Sequence, residues 1–150
     1  MFEKISINKD ISISKTMPSF YYLDNDYYKL SIDKIFKKSW QIIIDKNSLK
    51  SKIYPFIFLQ DSINEPLILT YDNGNYKCLS NVCTHRGNVL YLNQSDSNKI
   101  LCKYHGRIFD LDGNFISCPG FDNVKNFPSK SDNINQIELK LWKQFIFNLI

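Results

Sequence analysis

The hydrophobic positions of this chain follow two different periods. In "DYYKLSIDKIFKKSW", Tyr28, Ile32, Ile35, Phe36 and Ser39 recur at i, i+4, i+7, i+8 and i+11. That spacing predicts one helix over 26–39, with Asp24, Asn25 or Asp26 as its N-cap. Near Trp40 the run "WQIII" turns to β-favouring residues. From there "KIYPFIFLQ" (52–60), "PLILTYD" (66–72) and "NYKCLSN" (75–81) read as strands, and Asp72-Asn73-Gly74 joins the last two as a tight hairpin. "KILCK" (99–103) and "RIFDLDGNFIS" (107–117) follow, the latter folding back at Asp112-Gly113. Pro119 and Gly120 close that unit, 121–135 is a polar loop, and "IELKLWKQFIFNLI" supplies one or two final strands. The pattern predicts a small all-β fold behind a short helix. Its expected segments are an extended or poorly ordered arm (1–18), the helix with the strand after it (19–45), and the main domain (46–150).

Composition changes this picture little. A chain of 150 residues with 43% hydrophobic and 15% aromatic content can bury one real core. It has no run of 18 or more apolar residues and no basic segment leading into an apolar one at its start. The expectation is a cytoplasmic chain with reduced thiols and no membrane partner. The formal charge of +4 comes from scattered lysines, with arginine only at 86 and 107. The chain lacks alanine and is rich in Ile, Asn and Lys, residues of AT-rich codons, so the basic balance does not call for a nucleic-acid partner.

The cysteines change it a great deal. They stand at 78, 83, 102 and 118, and the two histidines stand at 85 and 105. Both histidines thus fall inside short boxes, Cys83-x-His85 and Cys102-x-x-His105, each placed where a strand runs out. Cys78 or Cys118 alone reads as an ordinary small core residue. The paired boxes do not, because both histidines would have to land there by accident. Zinc accepts two cysteines and two histidines, and a zinc-holding structural module stays open as a reading. In a usual finger, however, the two cysteines come together and the two histidines come together. One of each per loop suits a centre whose two ends differ, such as a [2Fe–2S] cluster with thiolates on one iron and imidazoles on the other.

"CTHRG", "CKYHG" and "FDLDG" together resemble the cluster-binding pair of Rieske iron–sulfur proteins, and specifically the N-terminal part of Rieske non-haem iron oxygenase large subunits. Arg86-Gly87 after the first histidine, Tyr104 before the second, and the lead-in "IFKKSWQIII" carry that branch of the resemblance, which runs from about residue 18 onward. It implies a Rieske-type fold of small antiparallel sheets with two cluster loops. It also implies one [2Fe–2S] cluster per chain, held by Cys83, His85, Cys102 and His105, with Arg86, Gly87, Lys103, Tyr104, Gly106 and Arg107 around it. The chain departs from the pattern at Lys103 and Arg107, where the family usually has proline and tryptophan. The high-potential respiratory branch has a further cysteine in each loop; Thr84, Arg86, Lys103 and Tyr104 stand in those loops here.

The resemblance implies one-electron transfer, with a reductase or ferredoxin as donor and a mononuclear iron as acceptor. Two thiolates and two neutral imidazoles leave the oxidised centre formally uncharged, which places its potential between about −150 and +300 mV. Arg86, Lys103 and Arg107 would raise it further if their charges face the cluster. Both histidines are already committed, so the acceptor iron is expected in a separate catalytic domain or subunit. The chain then reads as a truncated, split or stand-alone part of an oxygenase. The alternative is a ferredoxin-like Rieske carrier or small reductase subunit, against which the helix at 26–39 argues.

Overall fold

Asn73 and Gly74 take the left-handed conformation (φ 47° and 88°) that a two-residue hairpin turn requires. They join strand β3 (Glu65–Asp72) to β4 (Asn75–Ser80), paired antiparallel from Leu67↔Ser80 to Asp72↔Asn75. In this computed structural model, which describes residues 6–121 and 123–150, the hairpin forms two inner strands of a six-stranded sheet. The other members are β1 (Gln41–Asp45), β2 (Ile53–Phe58), β8 (Gln136–Trp142) and β9 (Phe145–Leu149), in the order β1-β9-β8-β4-β3-β2. A three-stranded sheet is formed by β5 (Ile100–Leu101), β6 (Ile108–Phe109) and β7 (Phe115–Ser117).

The pleat of the β3–β4 hairpin divides the core in two. Ile68 and Leu79 face one side, joining Ile53, Ile100, Phe109, Leu111 and Ile134 in a cluster that includes Cys83 and Cys102. Leu67 and Cys78 face the other, with Phe58, Ile43, Ile137 and Leu139. Residues 67–70 are therefore buried on both faces, which is why β3 reads as an unbroken apolar run rather than an alternating one. The small sheet closes over the first cluster, tied down where the Thr70 hydroxyl donates to the Leu111 carbonyl at 2.7 Å.

The chain divides into two compact units, 1–39 and 40–150. Strand β1 pairs with β9 from Gln41↔Asn148 to Asp45↔Phe145, so the strand expected to go with the helix belongs to the larger unit. In the smaller unit a four-residue turn, α1 (Phe20–Leu23), precedes the helix α2 (Asn25–Lys34). Asp24 is the N-cap, its carboxylate accepting from the Asp26 amide at 2.7 Å. The α-helix stops at Lys34, short of the expected 39, and a single 3-10 turn covers Phe36–Lys38. Its sheltered face matches the expected one only in part: Ile32 and Ser39 are half-buried, but Tyr28, Ile35 and Phe36 are exposed, while Tyr27 packs on Phe20 and Tyr21 with ring centroids 5.3 and 4.4 Å apart. Aromatic residues at consecutive positions make the helical phase ambiguous, and the preceding aromatic turn decides it. The N-terminal arm expected over 1–18 lies outside the described residues for 1–5; residues 7–12 of it are exposed. No helix among the described residues is long and apolar enough to cross a membrane.

Candidate metal centre

Each box begins one to three residues after a strand, and both are folded the same way. The Cys83 amide donates to the Asn88 carbonyl at 2.8 Å and the Gly87 amide to the Cys83 carbonyl at 3.0 Å. In the second loop Cys102 and Arg107 repeat the first bond at 2.8 Å, and Gly106 and Cys102 the second at 3.0 Å. Each loop thus places cysteine first and glycine four residues on, at φ 67° in Gly87 and 76° in Gly106. The histidine stands at different steps of the two loops, His85 two residues after its cysteine and His105 three.

Left-handed backbone costs a residue with a Cβ about 1–2 kcal/mol, so Gly87→Ala is expected to lower stability by that amount. A Cβ at Gly87 meets nothing within 4 Å, whereas one at Gly106 would lie 3.1 Å from Pro119 Cγ. Gly106→Ala is therefore expected to cost more than Gly87→Ala, a ranking that urea melts of the two variants check directly.

Folding brings the donors together like with like. The thiols of Cys83 and Cys102 are in side-chain contact, both about 2% exposed. The His85 and His105 rings lie 4.8 Å apart at 64°, with His105 exposed and His85 half-buried. Sulfur therefore faces the core and imidazole faces outward. The His85 main-chain N–H is directed at the Cys83 sulfur, and Asn88 Nδ2 lies 3.8 Å from the Cys102 sulfur. Burial pushes the Cys83 thiol up, and the neighbouring Cys102 adds to it. Desolvation, then the charge of Arg107, hold the His85 imidazole below its ordinary value, which keeps it neutral with a lone pair to give. Its Nδ1 is buried and has no hydrogen-bond partner among the described residues. A buried imidazole nitrogen without a proton partner is free to bind a metal. Among the described residues no three of His, Cys, Asp and Glu surround a single ion position.

The predicted surrounding residues fall into two groups. Arg86, Gly87, Lys103 and Tyr104 are exposed, and the Tyr104 ring lies on His105 with centroids 3.8 Å apart. Arg107 is instead buried, with its guanidinium over the rings of Phe115 and Phe127 at 5.3 and 5.4 Å. Its Nη2 is 3.1 Å from the Asp132 carboxylate and its Nη1 donates to the Thr84 hydroxyl at 2.9 Å. The expected lift in potential from Arg107 thus meets an opposing carboxylate; Arg86 and Lys103 have no ion pair among the described residues.

Sequence reasoning missed the contribution of the polar loop 121–135. Phe121 meets His85 edge-on at 5.9 Å and lies tilted against Phe127 at 5.0 Å. Asp132 caps its own 3-10 turn, accepting from the Ser129 amide at 2.8 Å as well as from Arg107. The one available signal was Ser129-x-x-Asp132, a capping-box spacing. The Ser129 bond, with Arg107 beside it, holds the Asp132 carboxyl below its ordinary 3.8. A depressed carboxyl contributes stability that is complete above its unfolded value and lost as pH falls through the folded one. The natural chain is therefore expected to lose its advantage over Asp132→Asn between about pH 5 and pH 2, as urea midpoints across that range would show.

The Rieske [2Fe–2S] domain family matches residues 39–128 of the chain. Chloroplastic choline monooxygenase of Amaranthus tricolor is 28% identical over 131 residues, 87% of this chain and 29% of that protein. The carnitine monooxygenase oxygenase subunit of Escherichia coli (strain K12) is 30% identical over 136 residues, 88% of this chain and 35% of that protein. Among solved structures, the quaternary ammonium Rieske monooxygenase CntA in complex with L-carnitine superposes with a TM-score of 0.79 at 24% identity, over 89% of this chain and 38% of that one. Naphthalene 1,2-dioxygenase from Rhodococcus sp. does so with 0.76 at 23% identity, over 89% of this chain and 31% of that one. The chain spans about a third of the length of the curated relatives it matches.

Proposed function

The chain belongs to the Rieske [2Fe–2S] domain family, and on that premise we propose that it relays single electrons for an oxygenase, through a cluster held by Cys83, Cys102, His85 and His105. The observation that carries this reading is the pairing of like donors: two touching thiols in the core, two imidazoles 4.8 Å apart toward the surface. When bound, a cluster with this ligand set supplies a one-electron carrier of intermediate potential. The thiols of Cys83 and Cys102 give up their protons to become ligands, so loading releases protons in spite of the burial that favours the thiol forms. The neutral His85 offers the orphaned Nδ1, leaving its other nitrogen to hold or release a proton as charge at the site changes. The outward imidazole end, with Tyr104 on it and the cations Arg86 and Lys103 beside it, is the face from which electrons enter and leave. The donor is a reductase or ferredoxin, and the acceptor a mononuclear iron in an oxygenase catalytic domain. Support for that placement comes from the relatives, which are oxygenases by name and of which the chain spans about a third.

Protein purified without oxygen is expected to be coloured and to hold two irons and two inorganic sulfides per chain. Reduction should give an EPR signal of low average g. A colourless protein binding a single zinc would overturn the reading.

A further inference from the structure

We propose that Arg107 is a positioning residue that locks the two cysteine–histidine loops to each other through Thr84. Its main-chain carbonyl accepts the Cys102 amide at 2.8 Å and so closes the second loop. Its side chain leaves that loop: Nη1 donates to the hydroxyl of Thr84, the residue after Cys83, at 2.9 Å. The same hydroxyl donates onward to the Asp132 main-chain carbonyl at 2.8 Å, and the Asp132 carboxylate takes Nη2 at 3.1 Å. One guanidinium thereby joins three segments far apart in sequence, each within a few residues of a loop or its floor. The guanidinium is shielded from water, since Arg107 is 4% exposed and flanked by Phe115 and Phe127, with Thr84 and Asp132 half-buried around it. In such a place each charged hydrogen bond is strong and its geometry narrow. A buried ion pair that served only to neutralise Arg107 needs Asp132 alone. The bond to Thr84 adds what that pair does not, a fixed distance between the backbone next to Cys83 and the backbone next to Cys102. The contact of the two thiols depends on that distance.

The test uses the full chain with Arg107→Lys, Thr84→Val and Thr84→Ser, and two readouts. The first is amide hydrogen exchange, which needs no metal. Arg107→Lys, made in the second loop, is expected to speed exchange of the Cys83 and Gly87 amides in the first. Thr84→Val, which leaves the Arg107–Asp132 pair in place, is expected to speed exchange at Gly106. Thr84→Ser keeps the hydroxyl and should match the natural chain in both loops. The second readout rests on the proposed cluster: iron release to a chelator should quicken about 10- to 100-fold in Arg107→Lys and Thr84→Val, the usual effect of losing a residue that orients metal ligands. Exchange that changes only in the loop carrying the substitution would overturn the clamp and leave a plain buried ion pair. If the natural chain holds no iron, the exchange data still decide the clamp, and the electron-carrier reading alone falls.

Discussion

Cys102→Ser is expected to abolish cluster binding, and Cys83→Ser to do the same, whereas Cys78→Ala and Cys118→Ala are expected to leave it intact. All four cysteines are buried, so burial does not distinguish them. Position does. Cys83 and Cys102 touch each other on the floor of the two loops, with the His85 amide directed at Cys83 and Asn88 near Cys102. Cys78 lies in the other cluster, across the β3–β4 hairpin, and has Asn148 Nδ2 at 3.9 Å. Burial pushes its thiol up to about 12, so it stays protonated at neutral pH. Cys118 faces the His105 carbonyl at 3.9 Å, a contact to the backbone of the second loop rather than to the thiol pair. Loss of a ligand should exceed the roughly 10- to 100-fold effect of losing a supporting residue, so iron and sulfide per chain should fall to background. Metal analysis and EPR on the four variants check this. Retained iron in Cys83→Ser or Cys102→Ser would remove that residue from the ligand set.

Phe109→Ala is expected to have the largest effect on stability, about 3–5 kcal/mol. Phe109 is fully buried, in register with Ile100, and meets Phe115 edge-on at 6.1 Å. It belongs to the same cluster as Ile68, Leu79, Cys83 and Cys102, so its ring holds the small sheet to the large one and forms part of the floor beneath both loops. Truncation leaves a cavity that short flanking strands of two or three residues cannot collapse to fill. Against a total of about 5–15 kcal/mol, the melting temperature should drop by about 10 °C or more. Leu101→Ala is the control: its side chain is 42% exposed in the neighbouring strand, and its cost should stay near 0.5 kcal/mol.

The parts of the fold that were legible in the sequence are those fixed by neighbours in the chain. Asn73-Gly74 and Asp112-Gly113 mark turns because positive φ is a property of a residue and the one beside it. The helix was recognisable by its cap at Asp24, and the face it shelters only in part, at Ile32 and Ser39. The sequence reading placed the strand after Trp40 with that helix, but pairing with β9, a hundred residues on, carries it into the large sheet. Register with a distant strand leaves no trace in local periodicity.

The candidate site divides in the same way. Two loops with cysteine, histidine and glycine at set steps could be read directly, since the hydrogen bonds that close each loop span five residues or fewer. Which end of the donor set is buried could not be read, nor whether a nearby arginine acts as a free charge. Arg107 looked like a tuning cation from its place in the chain; the fold turns it inward onto Asp132, 25 residues away, and onto Thr84 in the other loop. The sequence by itself determined the loop chemistry, because turns and ligand spacing are set by short-range sterics and hydrogen bonding. Only the tertiary structure decided the direction in which the donors face and the fate of that charge. Burial and charge pairing depend on which distant segments exclude water together.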